Sequence, residues 1–399
     1  MGGRGRYVAK TMRDAPGVAF TATCDVHQPS AEAAREWAGG EAKAFTDFRK
    51  LLEQKDVDAV LVGTPDHWHA IPTVLACEAG KDVYVEKPLA HNIAEGRAMV
   101  KAARRHNRIV FTGTQQRSAT HFPEVAGIIQ SGKLGNVHYV RVWNFTNMLP
   151  DGIGHAPDSP VPEGLDWDMY LGPAPKVPFN RKRFKSTFRW FWDYAGGTIT
   201  DFGTHRFDTV HQIMGVDKPH TISASGGRFE LKDAGQMPDI LQVTYEYPNF
   251  ILSYEASNIS AHGLGGRTPG MKYYNMKADD DRPHGMAFYG TNGAIFADRI
   301  GYEIYPDKGR IERAQKNAID ATPLHTNKFI ECLRHRDPAN ADVEVGHRAT
   351  NVAHLGNIAF KTGQKLKWDA EKEEFSNSPE ATRLLAREPR KPWDLIKES

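Results

Sequence analysis

The sequence is short of the features that would settle its class quickly. It has three cysteines in 399 residues (Cys24, Cys77 and Cys332). They stand far apart with no metal-ligand spacing, and so sparse and odd a set excludes a disulfide framework. No apolar run approaches the ~18 residues of a membrane span. Charge of either sign is not in excess: 51 Lys and Arg face 49 Asp and Glu, a net of +2, which gives nucleic acid no broad basic surface to bind. No His, Cys and Asp cluster has ligand spacing, so no metal is expected despite 17 histidines. Internal repeats and low-complexity segments are absent too.

What is present describes an ordinary globular chain. Apolar residues make up 40% and charged residues 25%, enough for a sizeable core, and the length asks for two or three domains. We divide it at 1–120, 121–365 and a C-terminal tail, 366–399, that packs back on the body.

The first third alternates strand-like and helix-like stretches. Strands are expected at 20–25, 57–62, 83–85 and 109–112, and helices at 6–12, 31–38, 48–53, 71–79 and 93–105. This alternation implies βαβ units and a parallel sheet. Ahead of it, Met1-Gly2-Gly3-Arg4-Gly5 reads as a glycine turn opening a helix, and Asp25 ends the next strand. A dinucleotide fingerprint uses glycines for the turn, for the approach to the pyrophosphate and for helix packing, with an acid ~20 residues on for the ribose. Gly2 and Gly5 fit the second and third glycines and Asp25 the acid; Gly3 and Arg4 complete the turn. The expected cofactor is NAD rather than NADP, because no Arg or Lys follows Asp25 and a carboxylate repels a 2′-phosphate. The first glycine and its strand do not precede the turn, so we expect the natural start to lie upstream of Met1. As given, the chain reads as cytoplasmic; an export signal lost with that strand would make it exported.

Two further strand ends carry chemistry. Val83-Tyr84-Val85 runs into Glu86-Lys87-Pro88, and proline stops the strand, leaving Lys87 at a carboxyl edge, where open α/β sheets bind ligands. Thr64-Pro65-Asp66-His67-Trp68-His69 sits at another such edge. There Thr64, Pro65, His67, Trp68 and His69 are candidates to wall the nicotinamide pocket, together with Glu86, Lys87 and Gln115. The plainer reading of the histidines is a polar loop with one residue capping the next helix.

Beyond residue 120 strands follow one another at 137–145, 221–229, 240–247, 250–257 and 287–289. That succession implies a second, mainly antiparallel open sheet. Helices are expected at 201–214, 324–334 and 348–362, with a short one at 380–387. A Pro- and Gly-rich passage, 149–178, has no sustained period, and loops of that length are functional or disordered. Next comes an aromatic run, Phe188 to Tyr194, with Arg183, Lys185 and Arg189 in or before it. Such faces suit sugar rings, although some of them must be core. In the helix from 201, Asp201 and His205 stand one turn apart with Asp208 further along. A carboxylate beside an imidazole orients it and raises its basicity. His211 lies off this face and reads as structural.

Taken together, the glycine turn, Thr64-Pro65 with His69, Glu86-Lys87-Pro88 and Gly196-Gly197…Asp201…His205 resemble the Gfo/Idh/MocA oxidoreductases, relatives of glucose-fructose oxidoreductase and inositol dehydrogenase. The resemblance covers nearly the whole chain. It implies a Rossmann domain followed by a large open sheet that carries the substrate pocket and often mediates oligomers, here a dimer or tetramer. It also implies that Lys87, Asp201 and His205 act on a sugar or polyol hydroxyl. His205 would take the proton, Asp201 hold His205, and Lys87 stabilise the developing alkoxide; Arg117, Lys185 and Trp192 are further candidates for substrate contact. Two alternatives stay open. A tightly held, recycled NAD would support epimerisation, elimination or glycoside cleavage through a keto-sugar. A non-catalytic sugar- or nucleotide-binding protein would use the same pocket without turnover.

Overall fold

A computed structural model describes residues 2–265 and 282–396; Met1, first of the glycine turn, lies outside them. Gly2 is the N-cap of helix α1 (Gly3–Arg13). There follow β1 (Ala22–Cys24), α2 (Gln28–Ala38), β2 (Lys43–Phe45), α3 (Phe48–Leu52), β3 (Ala59–Val62) and α4 (Ala70–Glu78). The unit closes with β4 (Asp82–Glu86), α5 (Ile93–Arg105) and β5 (Val110–Gly113). Strands β3, β4 and β5 pair in parallel, Val62 opposite Val85 and Val83 opposite Val110. Every residue of β4 is buried, as a central parallel strand covered on both faces must be. Asn92 caps α5 by accepting from the Glu95 amide, which fixes where the chain turns back after Pro88.

The parallel sheet is in two pieces. β1 pairs with β2, β3 pairs with β4, and among the described residues no strand joins β1 to β3. Helix α1 lies at this break. A Cβ on Gly63 would stand 3.2 Å from the Gly5 Cα, the close helix-to-strand approach for which a third glycine is needed.

The second sheet is built from α6 (His121–Gln130), β6 (Val137–Asn147), α7 (Trp167–Leu171) and α8 (Thr204–Met214) onward. Strands β7 (Thr221–Gly227), β8 (Ile240–Glu246), β9 (Ile251–Ser257), β10 (Ile259–Ser260), β11 (His284–Gly290), β12 (Gly293–Asp298), β13 (Gly301–Pro306) and β14 (Ala314–Asn317) follow. Then come α9 (Ala321–His335), α10 (Val343–Thr362), β15 (Leu366–Asp369), β16 (Glu374–Phe375) and α11 (Pro379–Arg383). The sheet has 11 strands in the order β14-β13-β12-β11-β6-β9-β8-β7-β15-β16, with β10 on β6. It is antiparallel except at its centre, where β6 and β9 run parallel. Alternation along β6 sends Val140 and Val142 to the inner face, on which α8 and α10 pack; the Tyr245 hydroxyl donates to the Val352 carbonyl at 2.8 Å. Gly356 permits that approach, since a Cβ there would collide with Tyr245 and Ile199.

Helix α9 crosses back to the first sheet, where Phe329 packs on Tyr84 and Phe111 at ring separations of 5.6 Å. The tail returns as well: Trp393 meets Trp68 edge to face at 4.9 Å. The passage 149–178 folds around an aromatic core of its own. Trp167 and Tyr170 of α7 join Phe179, Phe188, Phe191 and Tyr194, so most of the aromatic run is core and not a sugar-stacking wall.

Candidate active site

The site forms where β4 ends. Lys87 Nζ donates to the Asp201 carbonyl at 2.7 Å and pairs with the Asp201 carboxylate. From the other side Arg189 Nε meets Asp201 Oδ2 at 3.0 Å. Burial pushes the Asp201 carboxyl up, but Lys87 and Arg189 together overcome it and hold the group at about 2. Asp66, buried at the end of β3, feels the same field differently. Burial pushes it up to about 7; Arg189 and Lys87 restrain it and Asp201 adds to the rise. His205 is buried, and burial, then the charge of Lys87, keep its pKa well below the usual imidazole value. It is therefore neutral at physiological pH, and its Nδ1 is buried without a hydrogen-bond partner.

The expected Asp201–His205 hydrogen bond does not form. The spacing assumed an α-helix from Asp201, whereas Ile199–Gly203 is a π-turn and the α-helix begins at Thr204. A π-turn bonds each residue to the fifth rather than the fourth, which breaks the i,i+4 stacking and gives the Asp201 carboxylate to Lys87 and Arg189. Asp208, three residues beyond His205 in α8, is engaged elsewhere. It is fully buried and takes the Arg117 guanidinium at 2.8 to 3.1 Å. That commits Arg117 to a structural pair rather than to substrate.

The other substrate candidates part as well. Lys185 is exposed and lies over the Phe184 ring at 5.5 Å; the basic residue that reaches the site from this stretch is Arg189. Trp192 is half-buried, with Lys361 Nζ 3.8 Å from its ring centroid. Asp66 and Arg189 are the site residues that sequence reasoning missed. Each lay within a stretch already singled out, Asp66 just past a strand end and Arg189 in the basic aromatic run.

On the cofactor side, α1 follows its N-cap Gly2 with no side-chain cap and no acid in its first turn. Its leading N–H groups are thereby kept for an anion, as a pyrophosphate requires. Nothing lies within 4 Å of a Cβ placed on Gly2 or Gly3. Arg4 Nε donates to Glu86 Oε1 at 3.0 Å, tying the turn to the end of β4 and leaving Arg4 Nη2 and Glu86 Oε2 buried without partners. Asp25 ends β1 and accepts from the His27 amide at 3.0 Å. Gln115, past β5, has a buried Oε1 without a partner. These residues fit a dinucleotide. The histidine loop serves as a brace instead. His69 links the Pro88 carbonyl (2.7 Å) to that of Thr64 (3.0 Å), joining the two strand ends beside Thr64 and Pro65. His67 Nε2 and Trp68 Nε1 both bond the Tyr170 carbonyl, at 3.0 and 2.8 Å. All three side chains are buried, which takes them from the pocket wall that their position suggested. His211 is structural as expected, bonded to the Tyr247 hydroxyl at 2.8 Å.

Among the described residues no three His, Cys, Asp or Glu come together to hold a metal, and no helix is long and apolar enough to cross a membrane.

An uncapped glycine turn, a two-domain α/β frame and a lysine–aspartate pair beside a neutral histidine define the class, a nucleotide-dependent dehydrogenase. Comparison with known proteins narrows it. Residues 1–114 match the oxidoreductase family's NAD-binding Rossmann fold, and 119–279 with 277–395 match its C-terminal alpha/beta domain. The chain belongs to the Gfo/Idh/MocA oxidoreductase family, and its first domain is the NAD-binding one. It is 24% identical over 300 residues to the myo-inositol 2-dehydrogenase of Thermotoga maritima, covering 75% of this chain and 74% of that protein. It is 25% identical over 230 residues to trans-1,2-dihydrobenzene-1,2-diol dehydrogenase of Sus scrofa, spanning 56% of this chain and 57% of that one. Among solved structures, the levoglucosan dehydrogenase complex with NADH and levoglucosan superposes with a TM-score of 0.63 at 16% identity, covering 91% of this chain and 95% of that one. At that identity the likeness is one of fold.

Proposed function

We propose that the protein transfers a hydride between a sugar or polyol hydroxyl and NAD, with His205 as the proton acceptor. The observation that carries this reading is the Lys87–Asp201 pair at the β4 edge beside a buried, neutral His205. The names of its relatives, inositol and levoglucosan dehydrogenases, agree with the substrate class.

In this reading Lys87 donates a hydrogen bond to the reacting oxygen and stabilises the charge that develops there. Asp201 positions Lys87 and not the histidine, because its carboxylate and carbonyl both bind that ammonium. His205, one turn into the site, accepts the hydroxyl proton as the carbinol is oxidised. Bound NAD supplies the hydride acceptor. Gly2, Gly3 and Gly5 would seat its pyrophosphate, and Asp25 its ribose.

Association into a homo-oligomer belongs to the same reading. On the sheet face opposite the helices, Tyr139, Tyr289, Phe296 and Tyr305 form a half-buried aromatic row at ring separations of 5.4 to 6.1 Å, suited to a second copy.

The test is turnover of NAD with a panel of cyclic polyols and anhydrosugars, followed by NADH absorbance, on wild type and His205→Ala. Loss of about 10²–10⁴-fold in kcat is expected for the variant. Wild-type-like turnover would sink the assignment.

A further inference from the structure

The active site carries more positive charge than the reaction assigned above uses. Residues 181–193 hold five bases (Arg181, Lys182, Arg183, Lys185 and Arg189) and one acid, Asp193, which Arg183 takes at 3.2 Å. Arg189 is the base of this stretch that reaches the site, its Nε 3.0 Å from Asp201 Oδ2. Lys87 holds the other oxygen of the same carboxylate. Two cations therefore share one negative charge. The neighbouring carboxyls do not cancel the excess. Glu86 is paired with Arg4 at 3.0 Å, and Asp66 is protonated below about 7.

Arg189 is held in place without being used up. Its guanidinium lies 4.8 Å from the Phe188 ring centroid, and Nη1 donates to the Ser186 carbonyl at 3.1 Å. Nη2 has no partner among the described residues, and the side chain is 33% exposed. A fixed, accessible guanidinium suits a carboxylate, which it binds with geometric specificity as well as charge. Two charge-assisted hydrogen bonds to one carboxylate also keep Lys87 and Arg189 within about 8 Å of each other. One sugar acid spans that gap, its hydroxyl at Lys87 and its acid group at Arg189.

We propose that the substrate is a sugar or polyol acid, its carboxylate bound by Arg189 while Lys87 and His205 act on its hydroxyl. The inference rests on the reaction proposed above and adds no step to it. The hydride passes to NAD, the proton to His205, and the carboxylate stays intact.

The test is kcat/KM with NAD on matched pairs: glucuronate with glucose, galacturonate with galactose, gluconate with glucitol. It is read by NADH absorbance at a pH below the Asp66 value of about 7. In wild type the acid of a pair should lead by about tenfold or more, the worth of one charge-assisted hydrogen bond. Arg189→Gln should bring the acid and its neutral partner to parity. The ratio within one variant is the readout, because it cancels any general loss from a displaced Asp201 or a partly unfolded sample. Calorimetry of the same sugars on the NAD-loaded protein separates the acid site from the reaction. Acid-selective binding that needs Arg189, without turnover, would uphold the site and sink the reaction. Turnover in which the neutral members equal or lead the acids would uphold the reaction and overturn the inference. An acid preference that survives Arg189→Gln, or neither binding nor turnover of any acid, would overturn it as well.

Discussion

Asp201 and Asp208 lie two turns apart on one stretch of chain, the first partly and the second fully buried and both paired with a base, yet they are pushed in opposite directions. Asp201 is held at about 2 because Lys87 and Arg189 together outweigh burial. At Asp208 burial wins over Arg117, and the carboxyl is raised. Desolvating a carboxylate takes more than one neighbouring cation returns unless the pair is well solvated by other donors. The second cation makes the difference. It also separates the roles: Asp208 and Arg117 close a structural pair, whereas Asp201 remains charged and fixes the Lys87 ammonium at the end of β4.

The largest effect should come from removing that ammonium. Lys87→Ala is expected to lower kcat by about 10³-fold, in the range for a lost oxyanion-type donor, with the urea midpoint little changed. A folded variant with near-normal kcat would place Lys87 outside the chemistry. Arg117→Met attacks the other carboxylate. It leaves Asp208 buried without its cation and should cost about 3–5 kcal/mol of stability, read from urea unfolding, while kcat per folded molecule stays within about twofold by the same argument that the pair does not touch substrate. If Arg117→Met instead kept its stability and raised KM, the sequence-based assignment of Arg117 to substrate would be restored.

Arg189→Met makes the two aspartates alike, one cation each. The Asp201 pKa should then rise from about 2, and the acid limb of kcat/KM should move to higher pH. The sign follows from the lowered value: Asp201 contributes stability that is present above the ordinary carboxylate range and is lost as pH falls toward 2. The variant should lose that contribution at a higher pH than wild type. An unmoved acid limb would show that Lys87 alone sets the charge on Asp201.

How far the sequence carried depended on how local each cause was. Helix α5 was readable to the residue because its cap, Asn92, and its apolar spacing lie within the segment. Lys87 was readable because valines and a proline mark the strand end beside it. The short strands β2, β12, β13 and β14 escaped, since glycines and polar residues begin or fill them and only pairing makes them strands. Arg189 and Asp66 escaped for a longer-range reason: they meet only because the passage around α7 folds over the strand ends. Asp201 was correctly chosen and wrongly partnered, because a π-turn leaves no trace in residue spacing.

Asp66 gives the smallest and most discriminating test of the comparison. It is a third buried carboxyl, raised from 3.8 to about 7 chiefly by burial, and Asp201 itself contributes to the rise. A carboxyl whose folded value is raised contributes stability that is fully present below the unfolded value and is lost as pH rises through the folded one. Wild type should therefore lose stability between pH ~4 and ~7 through this group, and Asp66→Asn, which cannot ionise, should flatten that decline. The measurement is the urea midpoint across that window for both proteins. Activity sharpens the reading, because the charge acquired by Asp66 near pH 7 falls beside Lys87 and competes with Asp201 for it. Asp66→Asn should leave kcat little changed below that value and remove an inflection above it. Parallel stability curves for the two proteins would mean that Asp66 is ionised throughout, and that Lys87 and Arg189 serve two charges rather than one.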